Sequence, residues 1–122
     1  MMALLFKHYP IIEDMYTEFI EVNTDCIVAC EQCVQACLSE GNALNCCKIC
    51  LDCANLGTLA TKMISSKSPF ADDILILYAE ACDACAAECE KHALYYHHCK
   101  VCAEACRDCS RNCRDLILQI RD

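Results

Sequence analysis

Glycine and proline are the residues that this sequence has least of, and tryptophan is missing altogether. Only two glycines and two prolines occur in 122 residues. Loop-rich disulfide miniproteins and β-sandwiches need turns at short intervals, so the shortage of turn residues disfavours both classes and predicts long helices. No apolar run approaches the roughly 18 residues that a membrane-spanning helix requires, so we expect no transmembrane segment.

Basic residues are scarce as well. Ten lysines and arginines stand against eighteen aspartates and glutamates, which gives a formal net charge of -8. This balance disfavours nucleic acids and anionic membrane surfaces as partners. The N-terminal residues have no basic segment and too short an apolar stretch for a secretory signal, so we expect a cytoplasmic protein. The length predicts a single domain over residues 1–122.

Cysteine, by contrast, is abundant, with 16 copies in the chain. The cytosol keeps thiols reduced, so a cysteine-rich cytosolic chain is more typical of metal binding than of disulfide bonding. The cysteines form four clusters, which are Cys26, Cys30, Cys33 and Cys37; Cys46, Cys47, Cys50 and Cys53; Cys82, Cys85 and Cys89; and Cys99, Cys102, Cys106, Cys109 and Cys113.

The spacing within these clusters is helical. In the first, third and fourth clusters, successive cysteines are three or four residues apart, which puts them on one stripe of an α-helix. The positions between them are mostly charged or polar, so each segment is predicted to be an amphipathic helix whose buried face is partly cysteine. Other residues continue the stripes beyond the cysteines, namely Ile12, Met15, Phe19, Val22, Gly57, Ala60, Ile64, Leu75, Tyr78, Leu116 and Ile120.

Three breaks divide the chain. Two of them, at 39–42 and 65–69, contain glycine, proline or serine, with Ser68 a candidate N-cap and Pro69 a candidate first helical residue. The third break, at 92–97, has no turn residue and is predicted because one helix from 70 to 120 would leave its cysteine stripe without partners. The predicted helices are about 10–39, 43–65, 69–92 and 96–121. Their short connections predict an all-α, antiparallel up-down-up-down four-helix bundle with a cysteine-lined core.

This topology brings all four cysteine clusters to the same end of the bundle. His92, His97 and His98 are expected at the mouth of that end, as candidate metal ligands beside the thiols. Met15 and Met63 are interpreted as core residues rather than thioether ligands. The opposite end is expected to be closed by apolar side chains, which are Ile12, Met15, Phe19, Ile64, Leu75, Leu116 and Ile120.

Sixteen thiols in place of leucine and isoleucine would give up much buried apolar area, which argues against cysteine as mere packing. Thiolates are soft ligands that select Cu(I), Zn(II) or iron–sulfur clusters. Structural zinc and iron–sulfur clusters take discrete sets of four ligands, whereas continuous three- and four-residue spacing gives a ladder of neighbouring thiols. Such a ladder favours Cu(I), which accepts two or three thiolates, at a capacity of up to about one ion per cysteine.

Three segments carry a family resemblance. Residues 46–54 (CCKICLDCA), 82–92 (CDACAAECEKH) and 98–109 (HCKVCAEACRDC) resemble the bacterial copper storage proteins. The resemblance implies a cysteine-rich four-helix bundle that holds many Cu(I) ions, assembles as a homotetramer and uses histidine near its open end in copper entry. It also implies cysteines where Gly57 and Tyr78 stand, so the ladder is expected to be shorter at its deep end.

The predicted function is therefore cytosolic storage and detoxification of Cu(I), with a copper donor or acceptor protein as a further partner. No step of this function needs catalysis, so we expect no enzyme. The alternatives are a zinc-binding thiolate reservoir and a thiol redox protein. Many equivalent Cys-x-x-Cys pairs without a distinguishable attacking thiol count against redox chemistry, and competition between metals would separate copper from zinc.

Overall fold

The computed structural model describes the backbone of residues 2–41 and 44–121 and the side chains of residues 14–41 and 46–121. It contains four helices, α1 (Met2–Glu40), α2 (Leu44–Ser65), α3 (Ala71–Glu90) and α4 (His97–Arg121). No strand occurs within the described ranges, which confirms the all-α expectation. Nor does any helix in this part of the chain combine the length and the apolar character that crossing a bilayer demands.

The helix boundaries differ from the predicted ones most at the start of α1 and at both ends of α3, which ends at Glu90 instead of near residue 92. Helix α1 begins at Met2 instead of near residue 10, since residues 2–9 lack both glycine and proline and are rich in helix-forming alanine, leucine and methionine. Helix α3 begins at Ala71, with Phe70 at the N-cap position. Ser68 is therefore not the N-cap, although its Oγ still accepts a hydrogen bond from the Phe70 N–H at 3.1 Å.

The three connections use different local structures. Gly41 takes a left-handed conformation (φ 71°) directly after α1, where glycine avoids a steric penalty. Helix α2 ends in a Schellman motif, in which Ser68 N–H donates to the Met63 carbonyl at 2.9 Å and Lys67 N–H donates to the Ile64 carbonyl at 3.1 Å. The predicted third turn is present between Glu90 and His97 without glycine or proline, and backbone N–H groups of the turn donate to the Cys89 and His92 carbonyls.

The helices form a four-membered bundle in which α1 and α3 each pack against both α2 and α4. Ion pairs also join the outer faces of α3 and α4. Arg114 Nη2 lies 2.8 Å from Asp83 Oδ2, and Arg107 Nη2 lies 2.8 Å from Glu90 Oε1. Since these side chains are partly exposed, each pair stabilises the bundle by no more than about 1 kcal/mol.

The core has two chemically different halves. One half is lined by cysteine. The other is closed by Phe19, Leu75 and Leu116, which are almost fully buried, together with Ile64 and the partly buried Met15 and Ile120. The expected apolar plug is therefore confirmed for these residues, whereas the side chains of Ile12 and His8 lie outside the described part. Met63 also packs against the core, in agreement with its interpretation as a core residue.

Candidate metal centre

The cysteines of all four helices line a single column along the bundle axis. All 16 thiols are free, and every one except Cys47 is buried. Sulfur atoms from different helices approach closely, at 3.5 Å for Cys50–Cys85, 3.5 Å for Cys46–Cys89 and 3.7 Å for Cys26–Cys106. The prediction that the four clusters lie at the same end of the bundle is thus confirmed.

Within this column, thiols form five groups whose sulfur atoms all lie within 4.8 Å of one another. Four groups have four members each, and the fifth has three. The groups are Cys33, Cys37, Cys46 and Cys99; Cys33, Cys46, Cys50 and Cys89; Cys30, Cys50, Cys85 and Cys102; Cys26, Cys30, Cys53 and Cys106; and Cys26, Cys82 and Cys109.

Neighbouring groups share members, so the column is continuous. Cys33 and Cys46 belong to the two groups nearest the mouth, Cys50 and Cys30 link the next groups in turn, and Cys26 links the last two. Isolated tetrahedral sites, as structural zinc prefers, would not share their ligands in this way. A set of shared sulfurs suits thiolates that bridge successive metal ions, as the ladder interpretation predicted.

Two of the predicted cysteine ligands stand outside these groups. Cys47 is half-buried, and its Sγ faces the Val34 carbonyl oxygen at 3.9 Å instead of another sulfur. Cys113 is buried one helical turn beyond Cys109. A hydrogen bond with Cys113 contributes to raising the pKa of the Cys109 thiol. Both remain predicted ligands, with fewer sulfur neighbours than the rest.

Burial controls the protonation of the thiols at the mouth. Loss of water, reinforced by the nearby Cys33 sulfur, raises the pKa of Cys99 to about 11. Burial likewise raises the pKa of Cys37. Deeper in the column, Cys50 has a lowered pKa because Cys102 and Cys30 hydrogen-bond to its sulfur. A column in which most thiols keep their protons must release those protons when metal ions bind.

The three candidate histidines occupy different environments. His98 is half-buried, and its Nε2 lies 3.7 Å from the Cys37 sulfur, so it extends the thiol column at the mouth. Its ring also packs against Tyr96, with ring centroids 5.5 Å apart. His92 Nε2 lies 3.9 Å from a Glu88 carboxylate oxygen, and His97 is exposed. Of the three, the structure brings only His98 into contact with a cysteine within the described residues.

The opposite end of the column is closed by a buried hydrogen-bond network that sequence reasoning missed. Asn23 is fully buried. Its Nδ2 donates to the Gly57 carbonyl at 3.0 Å and to Thr61 Oγ1, while its Oδ1 accepts from the Tyr78 hydroxyl at 2.6 Å. The predicted stripe on α1 runs from Cys26 back to Val22, four residues earlier, whereas a step of three residues reaches Asn23. The polar side chain at this second possible position is the sequence signal that points to the buried network.

The chain is similar in sequence to known proteins. The family model for copper storage proteins (Csp) matches residues 12–118. The cysteine-rich protein YhjQ of Bacillus subtilis strain 168, which is described as uncharacterized, is 37% identical over 107 residues, covering 84% of this chain and 97% of the relative.

Two solved structures are similar in both sequence and fold. The Cu(I)-bound copper storage protein BsCsp3 is 37% identical with a TM-score of 0.77, covering 83% of this chain and 97% of that protein. A cytosolic copper storage protein from Streptomyces lividans, whose structure contains five coppers, is 31% identical with a TM-score of 0.84. The match covers 89% of this chain and 97% of that protein. Since the family match spans most of the sequence and the bundle carries the cysteine column, the chain belongs to the copper storage protein family.

Proposed function

We propose that this copper storage protein holds many Cu(I) ions along its thiol column, with sulfurs shared between successive ions. The observation that carries the proposal is the linkage of five thiol groups through common members, so that metal sites fill a continuous column instead of separate cages. Soft thiolates suit Cu(I), and its low coordination number suits groups of three and four crowded sulfurs.

The proposed ligands are the cysteines of the five groups, with Cys47 and Cys113 as further thiols at the margin of the column. His98 is proposed to bind incoming copper at the mouth and to pass it to Cys37, which its ring faces. His92 and His97 are proposed as a more weakly placed outer set. Each Cu(I) displaces protons from the thiols that bind it, so uptake releases acid and strengthens as the pH rises.

Zinc storage is the closest competing function. Four-membered thiol groups suit tetrahedral zinc, but zinc ions in adjacent groups would have to share a cysteine, for example Cys30 or Cys50 in the middle of the column. No step of copper storage calls for general acid–base or covalent catalysis, so we propose no enzymatic activity. A cytoplasmic location agrees with the Streptomyces relative, which is described as cytosolic.

The proposed assembly is a homotetramer that exchanges copper with a donor or acceptor protein. Exposed apolar side chains on the outer faces, including Leu51, Leu77 and Leu118, would support contacts between copies. Sedimentation of the metal-free and loaded protein tests the assembly, and a monomer in both states would contradict it.

Copper storage is tested by anaerobic titration of the fully reduced protein with Cu(I) against a competing chromophoric chelator. We expect tight uptake of well over four ions per chain, up to about one per cysteine. The same titration with Zn(II) provides the comparison. Uptake of only one or two Cu(I) ions, or displacement of bound Cu(I) by equimolar Zn(II), would overturn the proposal.

A further inference from the structure

Directly beyond the deepest thiol group lies a layer to which each helix contributes one residue. On α2 and α3, Gly57 and Tyr78 stand four residues from Cys53 and Cys82, and on α1 Asn23 stands three residues from Cys26. On α4 the corresponding residue is Cys113, four residues from Cys109. The regular spacing that builds the column therefore continues into this layer, but only one of its four positions is a thiol.

The Tyr78 side chain fills the space that a residue at position 57 would need. A Cβ atom on Gly57 would lie 2.6 Å from the Tyr78 hydroxyl oxygen, 2.8 Å from Asn23 Oδ1 and 2.9 Å from Ile27 Cγ1. A Cβ atom essentially never lies this close to another heavy atom, so any residue other than glycine at position 57 would require Tyr78, Asn23 and Ile27 to shift.

The polar atoms of the layer are satisfied by one another. The Tyr78 hydroxyl donates to Asn23, the Asn23 amide donates to the Gly57 carbonyl, and the Thr61 hydroxyl donates to the same carbonyl at 3.0 Å. These oxygen and amide groups are hard ligands that Cu(I) does not select. The apolar residues Phe19 and Leu75, both fully buried, lie beyond them, and neither side chain has an atom that could bind Cu(I).

We propose that the Asn23–Gly57–Tyr78 layer is a stop that ends the copper column and sets how many ions the chain holds. The inference rests on the proposed copper storage. Tyr78 and Asn23 act through space and hydrogen bonding and do not ligate copper. It follows that positions 57 and 78 form a latent metal layer, in which two thiols facing each other would lie next to Cys53, Cys82 and Cys113.

The test is the Cu(I) titration applied to the double variant Gly57→Cys/Tyr78→Cys. Removing the tyrosine side chain takes away the closest contact at position 57 and the hydrogen bond that holds Asn23 beside it, so Asn23 can move aside. We expect the capacity to rise by about two ions relative to the wild type. A matched control, Leu59→Cys/Leu77→Cys, adds two thiols to the same helices at positions that are 44% and 49% exposed. These thiols lie outside the column, so no gain in chelator-resistant copper is expected.

Single variants keep the proposal testable if the double variant fails to fold. Tyr78→Cys retains Gly57 and should gain about one ion, whereas Tyr78→Phe preserves the ring and should leave the capacity unchanged. An unchanged capacity in the folded Gly57→Cys/Tyr78→Cys and Tyr78→Cys variants would overturn the stop. Failure of the wild type itself to bind copper would instead overturn the proposed function, so the two outcomes are distinguishable.

Discussion

Gly57 shows how closely single residues are fitted in this bundle. An alanine there would place its methyl group against the Tyr78 hydroxyl and Asn23, with little freedom to move because both are held by hydrogen bonds. We expect Gly57→Ala to lower the free energy of unfolding of the metal-free protein by about 1–3 kcal/mol, as overpacked cores do. Chemical denaturation monitored by circular dichroism measures this loss.

The same substitution in a Tyr78→Phe background provides the control. Removing the hydroxyl takes away the closest of the short contacts, so the cost of Gly57→Ala should become smaller than in the wild type. Equal costs in both backgrounds would show that the tyrosine is not what restricts position 57.

His98 allows the mouth of the column to be tested at one side chain. Its Nε2 lies 3.7 Å from the Cys37 sulfur, while the adjacent His97 is exposed and serves as a matched control. We expect His98→Ala to slow Cu(I) uptake several-fold in stopped-flow measurements while changing the final capacity by no more than about one ion. His97→Ala should slow uptake less than His98→Ala and leave the capacity unchanged. A loss of capacity without a change in rate would contradict a role in entry.

The residue-level predictions from sequence succeeded where a repeated pattern supported them. The three- and four-residue spacing identified the buried thiols, because helical periodicity alone decides which residues share a face. Asn23 was missed because that spacing permits two continuations before Cys26, and only the packing of Tyr78 against α1 selects between them. Cys47 was grouped with its neighbours in the sequence, but it lies beside Cys46 and so points away from the column axis.

At the scale of the element, α2 offers two cysteines with contrasting positions. Cys50 belongs to two of the thiol groups and links the mouth to the middle of the column, whereas Cys47 belongs to none of them. We expect Cys50→Ser to lower the copper capacity by about one or two ions and Cys47→Ser to leave it within one ion of the wild type. Anaerobic titration of both variants measures the difference. Equal losses would mean that membership of the groups does not determine which thiols bind copper.

Helix boundaries were less predictable than helix positions. Four helices and their order followed from the cysteine stripes and the sparse breaks, but α1 starts eight residues earlier than expected and α3 starts two residues later. Helix ends depend on which backbone groups find local partners, and side-chain patterns record this only weakly. At the start of α3, for example, Ser68 accepts the Phe70 N–H, so the chain makes a turn before the helix begins.

For the molecule as a whole, the placement of all cysteine clusters at one end followed from topology, since clusters that flank a short loop must be neighbours. The contacts across the column could not be predicted in the same way. Whether Cys50 meets Cys85 or another thiol depends on how far the helices slide along one another, which is decided by packing throughout the bundle. The sequence therefore predicts a column of thiols, whereas the structure is needed to show which sulfur atoms belong to two neighbouring groups.

The protonation of the whole column leads to a prediction for the metal-free protein. Cys99 has an ordinary pKa of 9.0 that the fold raises to about 11, chiefly through burial, and burial raises the pKa of Cys37 in the same direction. Between these pH values the unfolded chain has lost protons that the folded bundle retains, so stability falls as the pH rises. Thiols with lowered pKa values, such as Cys50, make stability rise with pH only until their unfolded counterparts have ionised around pH 9.0, so they add no slope well above that pH.

We therefore expect the denaturation midpoint of the metal-free protein to decline from pH 9 towards pH 11. Replacing Cys99 with serine should make the decline shallower, because the folded state then holds one proton fewer in excess of the unfolded state. In the copper-loaded protein the thiols have already exchanged their protons for Cu(I), so the same range of pH should have little effect. Thermal denaturation of both forms at matched pH values distinguishes these outcomes, and a metal-free protein that becomes more stable above pH 9 would show that the column does not hold its thiols protonated.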